Sequence, residues 1–248
     1  MKSFGICSIA TNGYDQYLVD CIESFVQVEN SSYLVNWYIF SDVSEDLKRK
    51  LTNFEKVVFH FFQIPSYGWP DATLLRYSIY GEYLDSLDSD FLMHLDADML
   101  FLPSFRFPEI DSDCMYFVRH PGYASSSWQL NEPIQLLKRI KRYVVTGGDG
   151  SWETRKESRA YLNRRRRRTY FCGGIWFGRK KAFSSFVIES GEAVLDDLSR
   201  KIVAKWHDES HLNRFAAFNK VEVLGPQYCF DGKVSLGSDL PYVLAVEK

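Results

Sequence analysis

The chain is poor in sulfur, in proline and in long apolar runs. Its five cysteines (Cys7, Cys21, Cys114, Cys172, Cys229) are scattered through 248 residues with no CxxC pair. An odd, sparse set is the pattern of reduced thiols, not of a disulfide framework. The eight prolines form no linker, and no internal repeat divides the chain. No segment approaches the ~20 consecutive apolar residues that a membrane-spanning helix needs. The first residues, MKSFGICSIATNGYDQ, hold no apolar stretch long enough for a signal peptide. Excess charge is lacking too: 30 Lys and Arg stand against 32 Asp and Glu, a formal net charge of −2. No global basic field therefore argues for nucleic acid. The expectation is a soluble, cytoplasmic protein without a transmembrane anchor, with peripheral membrane association through basic residues left open.

What is present is an ordinary globular balance of 46% hydrophobic and 25% charged residues, rich in rings: 19 Phe, 15 Tyr and 6 Trp. That suits a large core and surfaces on which rings can stack, without choosing between them. The pattern alternates strands and helices. Phe4–Ile9 reads as a strand ending in the turn Ala10-Thr11-Asn12-Gly13, and helical spacing runs from Tyr14 through Tyr17, Leu18, Cys21, Ile22 and Phe25. Tyr33–Phe40, Lys56–Ile64, Phe91–Leu95 and Met115–Val118 read as further strands, and Asp71–Leu84 as a helix. In the second half, Trp128–Arg142 reads as helical and Thr146–Gly150 as a loop. Tyr170–Gly178 reads as a glycine-bearing strand, followed by a helix to about Ala204 and a short one from Trp206. Such alternation predicts an α/β fold with a mainly parallel sheet flanked by helices, in one domain over 1–248. Ligands of such sheets bind beyond the carboxyl ends of the strands, here Ala10–Tyr14, Ser41-Asp42 and Asp96–Asp98.

Three features could carry chemistry. Asp96 and Asp98 directly follow the apolar run FLMHL. Residues two apart on a strand share a face, and two carboxylates there invite a hard divalent cation, Mg²⁺ or Mn²⁺, completed by substrate phosphates. A solvated strand end is the plainer alternative. In Trp206-His207-Asp208-Glu209-Ser210-His211 the two histidines are four apart, as in a zinc pair. Glu209 lies two after His207, roughly 200° around a helix, which disfavours a zinc protease. The plainer alternative is a helix start with Asp208 as cap and Glu209 in the first turn. Ser151–Arg168 holds eight Lys and Arg against two Glu, including Arg164–Arg168. It reads as a solvated loop, or as an attractor of an anionic substrate or a charged membrane surface.

WHDESHLNRF (Trp206–Phe215) followed by VLGPQYCFD (Val223–Asp231) resembles the signature of the family 6 glycosyltransferases. These are retaining α-1,3-galactosyl- and N-acetylgalactosaminyltransferases that include the ABO blood-group enzymes and small soluble bacterial members. HLDADMLF is similar to the family's DxD strand, HPGYASSSW (His120–Trp128) to its acceptor-side loop, RKESRAYL to its arginine-rich stretch and YFCGGIWFG to its specificity strand. Asp71–Arg76 resembles the helix that carries a donor-binding arginine, and the likeness runs from Ile9 to Lys248.

The resemblance implies a GT-A-type fold, with a nucleotide-binding part over 1–105 and an acceptor-binding and catalytic part over 106–248. It implies transfer of GalNAc, in preference to Gal, from a UDP donor to the 3-hydroxyl of a galactoside or fucosylated galactoside, with Mn²⁺ or Mg²⁺ as cofactor. Ala10, Thr11 and Tyr14 match uridine-binding positions, Arg76 and Asp208 donor-sugar positions, and Asp96 and Asp98 the metal–diphosphate pair. Glu209 matches the proposed nucleophile, and His120, Trp206 and Asp231 match acceptor positions. Cys172 and Gly174 fall where the family sets the room for the donor's 2-substituent, and Lys248 falls in its phosphate-closing segment. Both aspartates are present where many bacterial relatives have asparagines. The chain stops at the start of that closing segment, so donor hydrolysis is an expected competitor of transfer. A UDP-sugar hydrolase, or a non-catalytic nucleotide-sugar-binding protein on the same fold, is the alternative.

Overall fold

The computed structural model describes residues 1–29, 33–42, 45–51, 54, 56–123, 141, 144, 150–233, 236 and 239–246. The helix read over Trp128–Arg142, the loop over Thr146–Gly150, most of the segment after Tyr123 in HPGYASSSW, and Lys248 lie wholly or largely outside them.

Seven strands form one sheet in the order β3-β2-β1-β4-β7-β6-β8. They are β1 (Ser3–Ala10), β2 (Leu34–Ser41), β3 (Val57–Gln63), β4 (Phe91–Leu95), β6 (Met115–Arg119), β7 (Phe171–Arg179) and β8 (Val221–Leu224). All run parallel except β7, which is antiparallel to both β4 and β6. β5 (Met99–Phe101) and β9 (Val243–Ala245) form a separate antiparallel pair. The mostly parallel α/β sheet expected from the alternating pattern is present, and the strand bounds agree within two residues where a strand was read. β5, β8, β9 and the short helix α2 (Glu45–Leu51) went unread, being brief and without clear periodicity.

Helices cover both faces, as buried parallel strands require. On one face α1 (Asp15–Val28) buries Leu18, Val19, Cys21, Ile22 and Phe25. Phe25 meets Trp37 and Phe101 edge-on at 5.5 and 4.9 Å. The other face takes α4 (Arg76–Glu82), α5 (Lys180–Ser199) and α6 (His207–Phe218), whose Tyr77, Phe183, Phe186, Leu212 and Phe215 close on Trp176 and Phe117. The helix read over Asp71–Leu84 is two: α3 (Asp71–Leu74) stops at Leu75, and α4 starts at Arg76. The break turns Arg76 inward, to 3% exposure.

Two local irregularities shape the sheet's carboxyl edge. After β1, Asn12 (φ 56°) and Gly13 (φ 87°) are successive left-handed residues, a conformation these two types tolerate, and they turn the chain into α1. In β7, Arg119 pairs with Phe171 and Phe117 with Trp176, so two residue steps along β6 are matched by five along β7. This bulge carries Gly173 and Gly174 out of the ladder.

Candidate active site

The strand order reverses direction between β1 and β4, the place where open α/β sheets hold ligands. A cleft opens there, lined by Ile9, Thr11, Asn12, Tyr14, Tyr67, Trp69, Ala72, Thr73, Arg76 and Asp96–Asp98. Thr11 is fixed by donating its hydroxyl to the Tyr67 carbonyl at 2.7 Å. Ala10 is buried beneath it in the core. Trp69, 74% exposed, stands at the mouth and meets the His207 ring edge-on at 5.2 Å.

Asp96 and Asp98 both face this cleft, but not for the reason their spacing predicted. β4 ends at Leu95, and the pair sits in the turn to β5 with Ala97 buried between them. Strand alternation therefore does not apply; the turn itself brings both residues to the cleft. Asp96 Oδ1 lies 3.0 Å from Arg76 Nη2 and 3.1 Å from His94 Nε2. Among the described residues no group of three or more His, Cys, Asp or Glu side chains is placed to hold a metal ion. Two carboxylates without a third protein ligand fit a hard cation that completes its shell from phosphate oxygens and water.

Arg76 is the centre of the buried charge. Besides Asp96 it approaches Asp208 Oδ2 at 3.3 Å, and its Nη1 donates to the Gly173 carbonyl at 3.0 Å. Burial works against its charge, but Asp208 and Asp96 outweigh that and hold the guanidinium more firmly protonated than usual. Its Nη1 also lies 2.6 Å from His94 Nε2, and Tyr80 Oη lies 2.7 Å from His94 Nδ1. Burial and then Arg76 push His94 down to about 4, so the ring is neutral and serves as a spacer between Tyr80 and the ion cluster. Arg76 Nε and Asp208 Oδ2 are buried with no hydrogen-bond partner among the described residues. Buried polar groups are seldom left so, and a polar ligand would complete them.

The first turn of α6 supplies the other two acids. Asp208 and Glu209 lie there, as read from the sequence, but the cap position is Trp206 and no side chain caps the helix. Asp208 is thus an ion-pair partner of Arg76 and not a cap. His207 takes a left-handed backbone (φ 44°), an uncommon conformation for a residue with a side chain. Glu209 accepts from Tyr170 Oη at 2.7 Å through Oε1 and from the Gly173 N–H at 2.9 Å through Oε2. Asn213 holds the helix in register: its amide exchanges bonds with both N–H and carbonyl of Phe171, each at 2.9 Å, and donates to the Glu209 carbonyl at 2.8 Å. Burial pushes Glu209 up to about 7, with Asp208 adding to the rise against the bonds from Tyr170 and Gly173. Asp208 rises to about 6, again by burial, with Arg76 opposing and Asp96 adding. The helix dipole favours ionised acids at this end, but burial outweighs it.

The β7 bulge is the hub of these contacts. Gly173 bonds Glu209 and Arg76 through its N–H and carbonyl, and the Gly174 carbonyl accepts the Asp96 N–H at 2.9 Å. A Cβ on Gly173 would lie 3.0 Å from Asp208 Oδ2, and one on Gly174 2.5 Å from Met99 Cε and 3.1 Å from Asp96 Oδ2. A side chain at Gly173 would crowd the Asp208 carboxylate, and one at Gly174 would have to push the Met99 end aside.

The remaining expected residues divide. His120, at the end of β6, packs its ring 5.8 Å from Tyr170 and so stands behind Glu209. Trp206, 48% exposed, precedes α6 and donates its indole N–H to Ser151 Oγ at 2.5 Å. The Cys172 thiol is buried against the Val118 carbonyl at 3.5 Å and beside Cys229, away from the cleft lining. Asp231 lies in the turn after Phe230, where it accepts the Lys233 N–H at 3.0 Å; none of the contacts above involves it. His211 is buried and faces Asp197 at 3.6 Å, whereas the His207 ring packs on Trp69, so the two histidines point to different surroundings and do not form a zinc pair. Trp69, Tyr67, His94, Tyr170 and Asn213 were not singled out from the sequence. Asn213 stood inside the WHDESHLNRF motif without a role, and no local signal marked the others.

The glycosyltransferase family 6 model matches residues 134–247. The O-antigen biosynthesis glycosyltransferase WbnI of Escherichia coli is 23% identical over 93% of this chain and 87% of its own length. Histo-blood group ABO system transferase 1 of Rattus norvegicus is 25% identical over 94% of this chain, and globoside alpha-1,3-N-acetylgalactosaminyltransferase 1 of Homo sapiens 24% identical over 93%. The chain spans 62% of the length of each of these two vertebrate relatives. Together the matches make the protein a glycosyltransferase. Over residues 134–247 it is similar to the glycosyltransferases of family 6. No helix among the described residues is long and apolar enough to cross a membrane.

Proposed function

We propose that the protein transfers GalNAc, and Gal less readily, from a UDP donor to the 3-hydroxyl of a galactoside with net retention. The observation that carries this reading is the meeting of four charged side chains from distant segments, Arg76, Asp96, Asp208 and Glu209, around the Gly173-Gly174 bulge at the sheet's carboxyl edge. The name of the human relative, globoside alpha-1,3-N-acetylgalactosaminyltransferase 1, supports α-1,3 transfer of GalNAc.

The roles follow from the geometry. The cleft beyond β1 takes the nucleotide, with Thr11 and Tyr14 at its wall. Arg76 Nε is an unfilled donor for a sugar hydroxyl, and Asp208 Oδ2, ion-paired with Arg76 at 3.3 Å but without a hydrogen bond, can accept from another. Glu209, ionised and fixed by two hydrogen bonds, faces the positive charge that builds on the anomeric carbon, as nucleophile or as stabiliser of that cation. Asp96 and Asp98 would hold Mn²⁺ or Mg²⁺, which when bound supplies charge to stabilise the departing diphosphate. A screen of UDP-sugars against lactose-type acceptors, with linkage analysis of the product, tests the reading. A β-linked product, or no transfer from any UDP-hexose, overturns it.

Two results are expected here. EDTA should abolish turnover and Mn²⁺ restore it, and Asp98→Asn should weaken UDP-sugar binding only when metal is present. Full turnover in chelator would assign the aspartates another purpose. Gly174→Ala should shift the ratio of kcat/KM values from UDP-GalNAc toward UDP-Gal. The new methyl displaces the Met99 end and crowds the Asp96 side of the cleft. The shift should be modest, since one methylene is worth ~1–3 kcal/mol. An unchanged ratio with both donors equally impaired would mean that Gly174 serves only to position Asp96.

A further inference from the structure

The reaction above makes no use of the arginine-rich segment. The structure splits its cations into two sets. Arg155 and Arg159 turn to Glu153 at 2.6 Å and Asp196 at 3.5 Å. Arg164, Arg165, Arg166 and Arg168 are exposed and form no ion pair among the described residues. The carboxyl end of α6 adds Arg214 and, two residues beyond, Lys220. Arg166 and Arg214 hold their guanidinium carbons 4.0 and 3.4 Å from the centroid of the Phe218 ring. Two like charges are thereby kept on one ring that is 46% exposed. Burial, Arg159 and Arg166 all weigh against the Arg214 charge, with Glu189 alone opposing them. An anion at this place relieves that repulsion.

Beside the ring runs a groove lined by Arg166, Arg168, Thr169, Asn219, Lys220 and Val223, the last 47% exposed. Trp152 at its inner end packs edge-on against Tyr170 at 4.9 Å, and Tyr170 donates to Glu209. Cations beside exposed apolar side chains match the boundary of a phosphate-bearing bilayer, where headgroups meet the charges and the apolar groups meet the upper acyl chains. Nucleic acid matches less well. Single strands need open ring faces to stack on, and guanidinium groups already occupy the Phe218 ring.

We propose that Arg164–Arg166, Arg168, Arg214 and Lys220 form a docking face for an anionic lipid bilayer, which turns the Tyr170–Glu209 end of the cleft toward an acceptor carried on lipid. The docking stands on the patch alone; the orientation of the acceptor rests on the transferase reading. Sedimentation with vesicles of phosphatidylcholine, with and without phosphatidylglycerol, tests it. The protein should bind only the anionic vesicles, and added NaCl should release it. Each basic residue near an anionic surface strengthens partition about fivefold. The triple variant Arg165→Glu, Arg168→Glu, Lys220→Glu should therefore bind at least about a hundredfold more weakly, while the three Lys or Arg exchanges bind as the native protein does. Among the described residues none of these three side chains has a hydrogen bond or ion pair that the change would break. Transfer to a soluble galactoside without vesicles should be the same in the triple variant. Equal binding to both vesicle types, displacement by millimolar inorganic phosphate, or capture of a DNA duplex without vesicle binding overturns the docking face. Native vesicle binding without any transferase activity upholds it and overturns the acceptor reading instead.

Discussion

Glu209→Gln should lower kcat by ~10²–10³ or more, the scale for loss of one transition-state stabiliser, and leave UDP affinity near its native value. The amide keeps the shape and can still bond Tyr170 and the Gly173 N–H, but it carries no charge. The native enzyme should gain kcat as pH rises through about 7, the value to which burial lifts this acid, and the residual activity of the Gln variant should lack that limb. Stability follows the opposite sign. Because the folded value lies above the usual carboxylate range, the folded state holds the proton longer than the unfolded chain does. Stability from this group is full below the unfolded value and is lost as pH rises through about 7. The Gln variant should therefore gain Tm over the native protein at pH 8 and not at pH 4. Loss of donor affinity at nearly native kcat would make Glu209 a binding residue. A fall in Tm at pH 8 would make it a structural one.

Arg76→Ala should cost ~3–5 kcal/mol of stability, the scale for removing one partner of a buried ion pair, and should abolish donor turnover. The change leaves Asp96 and Asp208 facing one another without the cation that joins them at 3.0 and 3.3 Å. Arg76→Lys keeps the charge but loses the planar fork that reaches Asp96, Asp208 and the Gly173 carbonyl together. It should recover part of the stability and little of the kcat. Adding Asp208→Asn to Arg76→Ala should restore some stability, since one uncompensated charge goes with it. Denaturant melts measure the first effect and donor kinetics the second. A native midpoint in the Ala variant would show that solvent, not the two acids, neutralises this arginine.

The sequence made β1–β4, β6 and β7 legible, because strands covered by helices on both faces leave largely apolar runs. It made the length of α1 legible through its buried stripe. The motif around Asp208 and Glu209 was also readable, because its residues are contiguous. Three features were not. The stop at Leu75 has no glycine or proline beside it to announce it, yet it places Arg76. The share of β7 out of register depends on its pairing with β6, and paired glycines signal a departure from the ladder without fixing its size. The Tyr80–His94–Arg76 chain joins residues that are neighbours only once α4 packs on β4. Asp96 and Asp98 came to the same cleft by a turn where strand alternation had been the argument.

Asn213 also limits how the site can change. Its amide meets both backbone groups of Phe171 as a neighbouring strand would, and it grips Glu209 at the same time. The glycine pair proposed to bound the space for the donor sugar starts two residues after Phe171. The glycine pair and the position of Glu209 are therefore tied to one rigid clamp. Substitutions in the glycine pair and in the first turn of α6 should be non-additive. A change of donor preference reached one residue at a time must pass through intermediates in which Glu209 is misplaced, whereas a paired change across the clamp can avoid them.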